Sequence, residues 1–144
     1  MKINQKIKKV AFIGMGLINS SLARDLKIKK FYLSSSAYSR RLSTINKIKK
    51  LKLVDFASSN IEKTIKEADI IIVGIPVAAY QEVFKKICNH IKPGAIITDV
   101  GSVKKEVINS VKKYIPKNVD FVPGHPIAGT ENSGPESGFA GLFK

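Results

Sequence analysis

The sequence predicts an α/β fold: a doubly wound, mostly parallel sheet with helices on both faces. Three observations lead there. Short apolar runs alternate with longer amphipathic stretches along the chain. The run "DIIIVGIP" (69–76) is unbroken, as expected of a parallel strand covered on both faces. A Gly-x-Gly turn, Gly14 to Gly16, directly follows the first apolar run. Strands that alternate with helices pair in parallel, because each crossover carries a helix back over the sheet with one preferred hand.

Each element follows from its local pattern. "KVAFIG" (9–14) reads as a buried strand. Residues 17–29 carry Leu17, Ile18, Leu22 and Leu26 at helical spacing. "FYLSSSAYS" (31–39) is a weaker strand, and 40–53 a helix with Leu42, Ile45, Ile48 and Leu51 or Leu53 on one side. "VDFA" (54–57) is a short strand, and 60–68 a short helix with Asn60 as N-cap. The strand at 69–76 leads to a helix over 77–91, which "KPG" breaks. "AIITDV" (95–100) is a strand, 102–115 a helix capped by Ser102, and "VDFVPG" (119–124) a last strand. Residues 1–124 thus form one domain. Residues 125–144 form a glycine-rich polar loop with neither period.

Composition narrows the classes. The 144 residues are 44% hydrophobic and 25% charged, which suits one globular domain. No apolar run approaches the roughly 18 residues that span a bilayer, so no membrane role is expected. The basic start "MKINQKIKK" lacks a long apolar region and a cleavage site, so it does not read as a signal peptide. A single cysteine, Cys88, excludes an internal disulfide and suits a reducing, cytoplasmic setting. Its place in "VFKKICNHI" predicts a core residue. His90 follows late in the same helix, where a donor suits the terminal carbonyls. No metal site is expected. The net charge of +14 comes from 25 Lys and Arg against 11 Asp and Glu. Only Arg24, Arg40 and Arg41 are arginines; the lysines are dispersed among abundant isoleucines, a pattern of codon bias. No basic patch is interleaved with aromatics, so no specific nucleic-acid partner is expected, although the field favours anionic ligands.

The turn "GMGLINSSLA" lies between a strand and a helix, the context in which Gly-x-Gly carries meaning. Gly14 permits the tight turn. Gly16 lets a pyrophosphate approach the backbone at a helix N-terminus, with Met15, Leu17 and Ile18 alongside. These features mark the Rossmann dinucleotide-binding arrangement. The third glycine of that fingerprint is replaced by Asn19, expected to push the helix outward or to turn toward the cofactor. An acid binding the ribose hydroxyls of NAD is expected about 20 residues on. Ser39, Arg40 and Arg41 stand there instead, which favours NADP over NAD. Ligands of such sheets lie beyond the carboxyl ends of the strands. The rim therefore also includes Gly74, Ile75 and Pro76, then Asp99, Gly101 and Ser102, and finally His125. Ser102 and His125 are expected to converge near the nicotinamide. A solvated helix charge is one reading of Lys104 and the favoured reading of Lys105, and Asp99 reads as a cofactor residue or a turn former.

Together, "GMGLINSSLA", "DVGSVK" and "GHPIAGTENSGPESGFAGLF" resemble the prephenate/arogenate dehydrogenase family of tyrosine biosynthesis. The last motif is the diagnostic one. The resemblance implies an oxidoreductase acting on CH–CH donors with NAD(P)+ that oxidatively decarboxylates prephenate or arogenate. It implies that His125 takes the proton of the substrate hydroxyl, that Ser102 bridges hydroxyl and nicotinamide, and that Gly129, Thr130, Glu131, Ser133 and Gly134 line the substrate mouth. It also implies a C-terminal helical domain, absent here, that dimerises and supplies the arginine for a substrate carboxylate. Arg24, Arg40 and Arg41 are poor substitutes, so residues 1–144 alone are expected to bind cofactor and turn over substrate feebly. Two other readings stand beside this one: another Rossmann dehydrogenase of the β-hydroxyacid or imine reductase type, and a non-catalytic NADP-binding module.

Overall fold

The computed structural model describes residues 7–126 and 132–143. The elements run β1 (Ile7–Ile13), α1 (Leu17–Ile28), β2 (Tyr32–Tyr38), α2 (Leu42–Lys50), β3 (Phe56–Ser58) and α3 (Ile61–Ile65). They continue with β4 (Ile70–Val73), α4 (Tyr80–Ile87), β5 (Ile96–Asp99), α5 (Lys104–Val111) and β6 (Asp120–Val122). The strands form one six-stranded sheet in the order β3-β2-β1-β4-β5-β6, and every pairing is parallel. The order reverses between β1 and β4, the switch point where ligands of such sheets bind.

Alternation along the strands divides the core into two faces. Val10 and Phe12 of β1, with Ala37 and Ile72, pack under Ala23 of α1 and Ile45 and Ile48 of α2. Ala11 and Ile13, with Ile71, Val73 and Ile97, pack under α3, α4 and α5 through Ile65, Tyr80, Phe84, Ile87, Val107 and Val111. Burial of each large side chain contributes about 1.5–3 kcal/mol. Tyr80 stacks on Phe84, whose ring meets Phe121 edge-on.

Several elements differ from expectation, each for a local reason. The stretch 77–91 is not one helix: a 3-10 turn over Val77–Ala79 precedes α4, which ends at Ile87. Cys88 is therefore not in the core. It is the half-buried C-cap of α4, its Sγ 3.3 Å from the Lys85 carbonyl. His90 lies beyond the helix, and its Nε2 is 3.8 Å from Glu62 Oε1. The helix expected over 102–115 is α5 followed by a 3-10 turn over Lys112–Tyr114. Its N-cap is Val103, without a side-chain cap, so Ser102 does not cap it. Asn60 does cap α3, accepting from the Lys63 N–H at 2.9 Å. The buried side of α1 is Asn19, Ser20, Ser21 and Ala23, while Leu22 and Leu26 are only partly buried.

Asn19 and Ala23 face the sheet, and Ser20 and Ser21 are covered by the C-terminal segment, which lies along α1. Pro135–Ser137 form a 3-10 turn. Arg24 Nη1 donates to the Pro135 carbonyl at 3.3 Å, the Phe139 N–H to Ser21 Oγ at 3.1 Å, and the Gly141 N–H to Asp25 Oδ1 at 2.7 Å. Lys47 pairs with Glu136 at 3.1 Å. Gly138 sits so close that a Cβ there would be 2.0 Å from Ser20 Oγ. Among the described residues no helix is long and apolar enough to cross a membrane.

Candidate active site

The sheet register builds the rim. Ile13 is level with Tyr38 and Val73, and Val73 is level with Asp99. The turns that leave these strands therefore emerge side by side. Gly14 has φ +85°, a left-handed conformation that favours glycine. Its N–H donates to the Tyr38 carbonyl at 3.0 Å, and a Cβ on it would lie 2.3 Å from the Gly74 carbonyl oxygen. Gly16 is the opposite case: a Cβ there would meet nothing within 4 Å. It is also the N-cap of α1, with no side-chain cap and no acid in the first turn. Free N–H groups, the positive helix end and open space above Gly16 fit a dinucleotide pyrophosphate. Met15 is 4% exposed, so its side chain belongs to the core and only its backbone borders this space. Leu17 and Ile18 are half-buried where α1 opens, and Ile75 packs against the core of the α4 face.

The Asn19 side chain turns inward, away from the ligand side. It is 1% exposed, and its Nδ2 donates to the Gly14 carbonyl at 2.9 Å and, more weakly, to the Ile72 carbonyl at 3.4 Å. Its Oδ1 is buried with no partner. The side chain thus pins the glycine turn to β4.

Past the end of β2, the Ser39 N–H donates to the Ser58 carbonyl at 3.3 Å, and Ser39 Oγ accepts from the Arg41 N–H at 3.4 Å. Arg40 and Arg41 are exposed, and neither guanidinium has an ion-pair partner among the described residues. The nearby carboxylate of Asp55 is turned onto Ser35, accepting from its N–H at 2.8 Å.

The ends of β5 and β6 meet on Asp99. This carboxylate, expected as a cofactor residue or a turn former, is 1% exposed and faces inward. Its Oδ2 accepts from the Gly101 N–H at 2.9 Å and from the Tyr80 hydroxyl at 3.4 Å; its Oδ1 accepts from the Gly124 N–H at 3.1 Å. Lys104 pairs with it, so Lys104 is not a solvated charge; Lys105 is exposed. Burial first, then the Asp99 charge, pushes the Tyr80 hydroxyl well above the ordinary tyrosine range. Ser102 and His125 are exposed, each one residue beyond a glycine anchored on Asp99. Pro76, which N-caps the 3-10 turn of Val77–Ala79, stands on the same rim.

Of the expected substrate residues, Gly129, Thr130 and Glu131 lie outside the described residues. Ser133 is exposed, its carbonyl accepting from Ser137 Oγ, and Gly134 takes φ +87° to open the 3-10 turn. Among the described residues no group of three His, Cys, Asp or Glu is placed to hold a metal ion. Tyr80, Lys104 and the inward role of Asn19 were not foreseen. Only the short range of Asp99 to Gly101, an Asx turn, carries a sequence signal.

Comparison with known proteins agrees with this geometry. The family described as "Prephenate dehydrogenase, nucleotide-binding domain" matches residues 22–144. A cyclohexadienyl dehydrogenase from Zymomonas mobilis is 38% identical over 137 residues, 95% of this chain and 46% of that protein. A prephenate dehydrogenase from Lactococcus lactis is 33% identical over 140 residues, 96% of this chain and 39% of that protein. The chain thus spans less than half the length of these relatives. The crystal structure of A. aeolicus prephenate dehydrogenase in complex with hydroxyphenyl propionate and NAD+ superposes with a TM-score of 0.87 at 28% identity, covering 98% of this chain and 49% of that one. Synechocystis arogenate dehydrogenase gives 0.83 at 32% identity, covering 94% and 46%.

Proposed function

The chain belongs to the prephenate/arogenate dehydrogenase family, as its nucleotide-binding domain, and from that premise we propose that it is the cofactor-binding half of an enzyme that oxidatively decarboxylates prephenate or arogenate, acting in the cytoplasm. The observation that carries the reading is the shared rim. The open turn at Gly16, the exposed Ser102 and the exposed His125 follow strands β1, β5 and β6 of one parallel sheet.

Gly14, Gly16 and the first N–H groups of α1 hold the pyrophosphate, while Gly74, Ile75, Pro76 and Gly101 border the path toward the nicotinamide. Bound NAD(P)+ supplies the hydride acceptor. His125 accepts the proton of the ring hydroxyl as the hydrogen on the same carbon departs with its electron pair. The hydroxyl carbon becomes a carbonyl, and loss of carbon dioxide then returns electrons to the ring, which aromatises. Histidine suits this step because a ring nitrogen can accept a proton from a hydroxyl within hydrogen-bond reach. Ser102 orients the hydroxyl, a contribution of positioning. Ser133 and Gly134, with Gly129, Thr130 and Glu131, line the substrate mouth. The relatives are about twice as long, and the arginine that the resemblance assigns to a substrate carboxylate lies in their second half. The 144 residues alone therefore bind cofactor and turn over substrate feebly, and dimerisation through that second half completes the enzyme.

At the adenosine end, unpaired Arg40 and Arg41 beside Ser39 support a preference for NADP+. Calorimetric titration with NADP+ and NAD+ at low and moderate salt tests this. A charge-assisted contact of about 1.5–3 kcal/mol predicts that Arg40→Ala weakens NADP+ binding about 10- to 100-fold and leaves NAD+ unchanged. Equal affinities in the unaltered chain would remove the preference. Binding of neither dinucleotide would remove the cofactor site itself. Adding prephenate and then arogenate to the dinucleotide complex, with His125→Asn as control, tests the chemistry.

A further inference from the structure

We infer that Asp99 is the positioning residue of the rim: one buried carboxylate that holds the three catalytic-side connections together and sets the spacing of Ser102 and His125. The inference rests on the roles proposed above for those two residues.

Three connections end on this side chain. The β4–α4 connection reaches it through the Tyr80 hydroxyl at 3.4 Å. The β5–α5 connection reaches it through the Gly101 N–H at 2.9 Å and through Lys104, the first residue of α5. The segment after β6 reaches it through the Gly124 N–H at 3.1 Å. Both glycines are there for close approach. A Cβ on Gly101 would lie 2.9 Å from Asp99 Oδ2, and one on Gly124 would lie 2.5 Å from the Asp99 carbonyl oxygen. The carboxylate side chain is fully buried, and its two oxygens already accept four donors, so it has little left to offer a cofactor. An apolar residue would fill this place at less desolvation cost but could not tie backbone N–H groups from separate loops.

The geometry makes the coupling direct. Ser102 is bonded to one anchored glycine, and His125 to the other. No contact between Ser102 and His125 themselves is needed, because both inherit their place from the same two oxygens. Lys104 keeps the buried charge balanced while leaving both Oδ atoms in position. A shift of the carboxylate moves both catalytic connections, and a misplacement of about 1 Å is enough to cost about 10²-fold in rate.

The test compares Asp99→Asn with Ile48→Ala, a core truncation on the other face of the sheet, in the enzyme that carries this domain. Two readouts are taken with NAD(P)+ bound: amide hydrogen exchange at Gly101 and Gly124, and turnover of prephenate and arogenate. Asp99→Asn is expected to speed exchange at both glycines at least tenfold relative to Phe12, to lower kcat about 10²-fold, and to change dinucleotide Kd less than threefold. Ile48→Ala is expected to speed exchange broadly and leave kcat near its starting value. If Gly101 and Gly124 exchange no faster than Phe12 in Asp99→Asn, or if Ile48→Ala lowers kcat as much, the inference is overturned. If the unaltered protein turns over neither substrate, the proposed function fails, and the exchange readout alone still decides whether Asp99 couples the loops. Asp99→Glu serves if Asp99→Asn does not fold: it keeps the charge but displaces both anchors, and the same pair of readouts applies.

Discussion

Replacing Asn19 with aspartate changes one amide nitrogen to an oxygen and almost nothing else in shape. The site is 1% exposed, and the nitrogen donates to two carbonyls, Gly14 at 2.9 Å and Ile72 at 3.4 Å. In Asn19→Asp an acceptor faces those acceptors, and no cation stands among the bonded partners of this side chain. Loss of the donor leaves a buried carbonyl unsatisfied, at about 1–3 kcal/mol. Burying an unpaired carboxylate adds more, so about 3–5 kcal/mol is expected at pH 7, the range seen when a buried charge is left alone. At about 2–4 °C per kcal/mol for a domain near this size, the melting temperature drops roughly 10 °C. The pH dependence gives a second check. The new carboxyl is raised above its unfolded value, since burial favours the neutral acid, and the protonated group regains a donor for Gly14. The deficit is therefore full above the folded pKa and narrows as pH falls toward about 4, the unfolded value. Thermal melts followed by circular dichroism from pH 4 to pH 8 measure both. An Asn19→Asp protein within 1 kcal/mol of the original across that range would refute the pinning role of the side chain.

Two further predictions concern the parts that frame the rim. Gly138→Ala places a methyl 2.0 Å from Ser20 Oγ and 2.7 Å from Arg24 Nη1; overpacking of about 1–3 kcal/mol lifts the C-terminal segment from α1, and limited proteolysis should then cut within 132–143 faster. Partial burial of Asp69 favours its neutral form, but Lys92 and the N–H groups of Lys9 and Lys8 outweigh it and hold the carboxyl below the ordinary range. Its stabilising contribution is thus present above the unfolded value of about 4 and lost as pH falls through the lower folded value. Asp69→Asn should destabilise the protein by about 1 kcal/mol at pH 7 and by less at pH 3, read from denaturant melts.

The fold was legible because its signals are local and repeated. The apolar run of β4 and the alternation in β1 place strands without reference to anything distant, and Gly14 with Gly16 marks the switch point. What was not legible is polar and long-range. Asp99 and Gly124 are 25 positions apart, and nothing in "DVGS" says which distant N–H will reach its second oxygen. Lys104 and Lys105 are alike in sequence, and only the direction of the first turn of α5 sends one to Asp99 and the other to solvent. Nothing near Ser20 and Ser21 in sequence signals their burial, because the segment that covers them lies more than 110 residues later. Ser102 looked like a cap, since serine is favoured there. The helix begins two residues later instead, because Gly101 is drawn onto Asp99.

The same reasoning explains how the chain tolerates losing the third glycine of the dinucleotide fingerprint. That glycine ordinarily lets the helix approach the strand closely. Here the room is made from the other side: a Cβ on Gly74, at the end of β4, would lie 2.6 Å from Asn19 Nδ2 and 2.9 Å from its Cγ. Gly74 has no left-handed φ, so its need to be glycine is one of space alone. Asn19 and Gly74 should therefore behave as a pair. Gly74→Ala alone forces the Asn19 amide off the Gly14 carbonyl and is expected to cost about 2–3 kcal/mol. In an Asn19→Gly background the three atoms nearest that methyl, all of Asn19, are gone, and the added cost should fall toward zero. The interaction term of that double-mutant cycle is expected at about 1–3 kcal/mol, the range for residues in contact. Denaturant melts of the four proteins give it directly. Additivity within about 0.5 kcal/mol would mean that Gly74 is constrained by something other than Asn19, and that the close helix–strand approach in this turn has another origin.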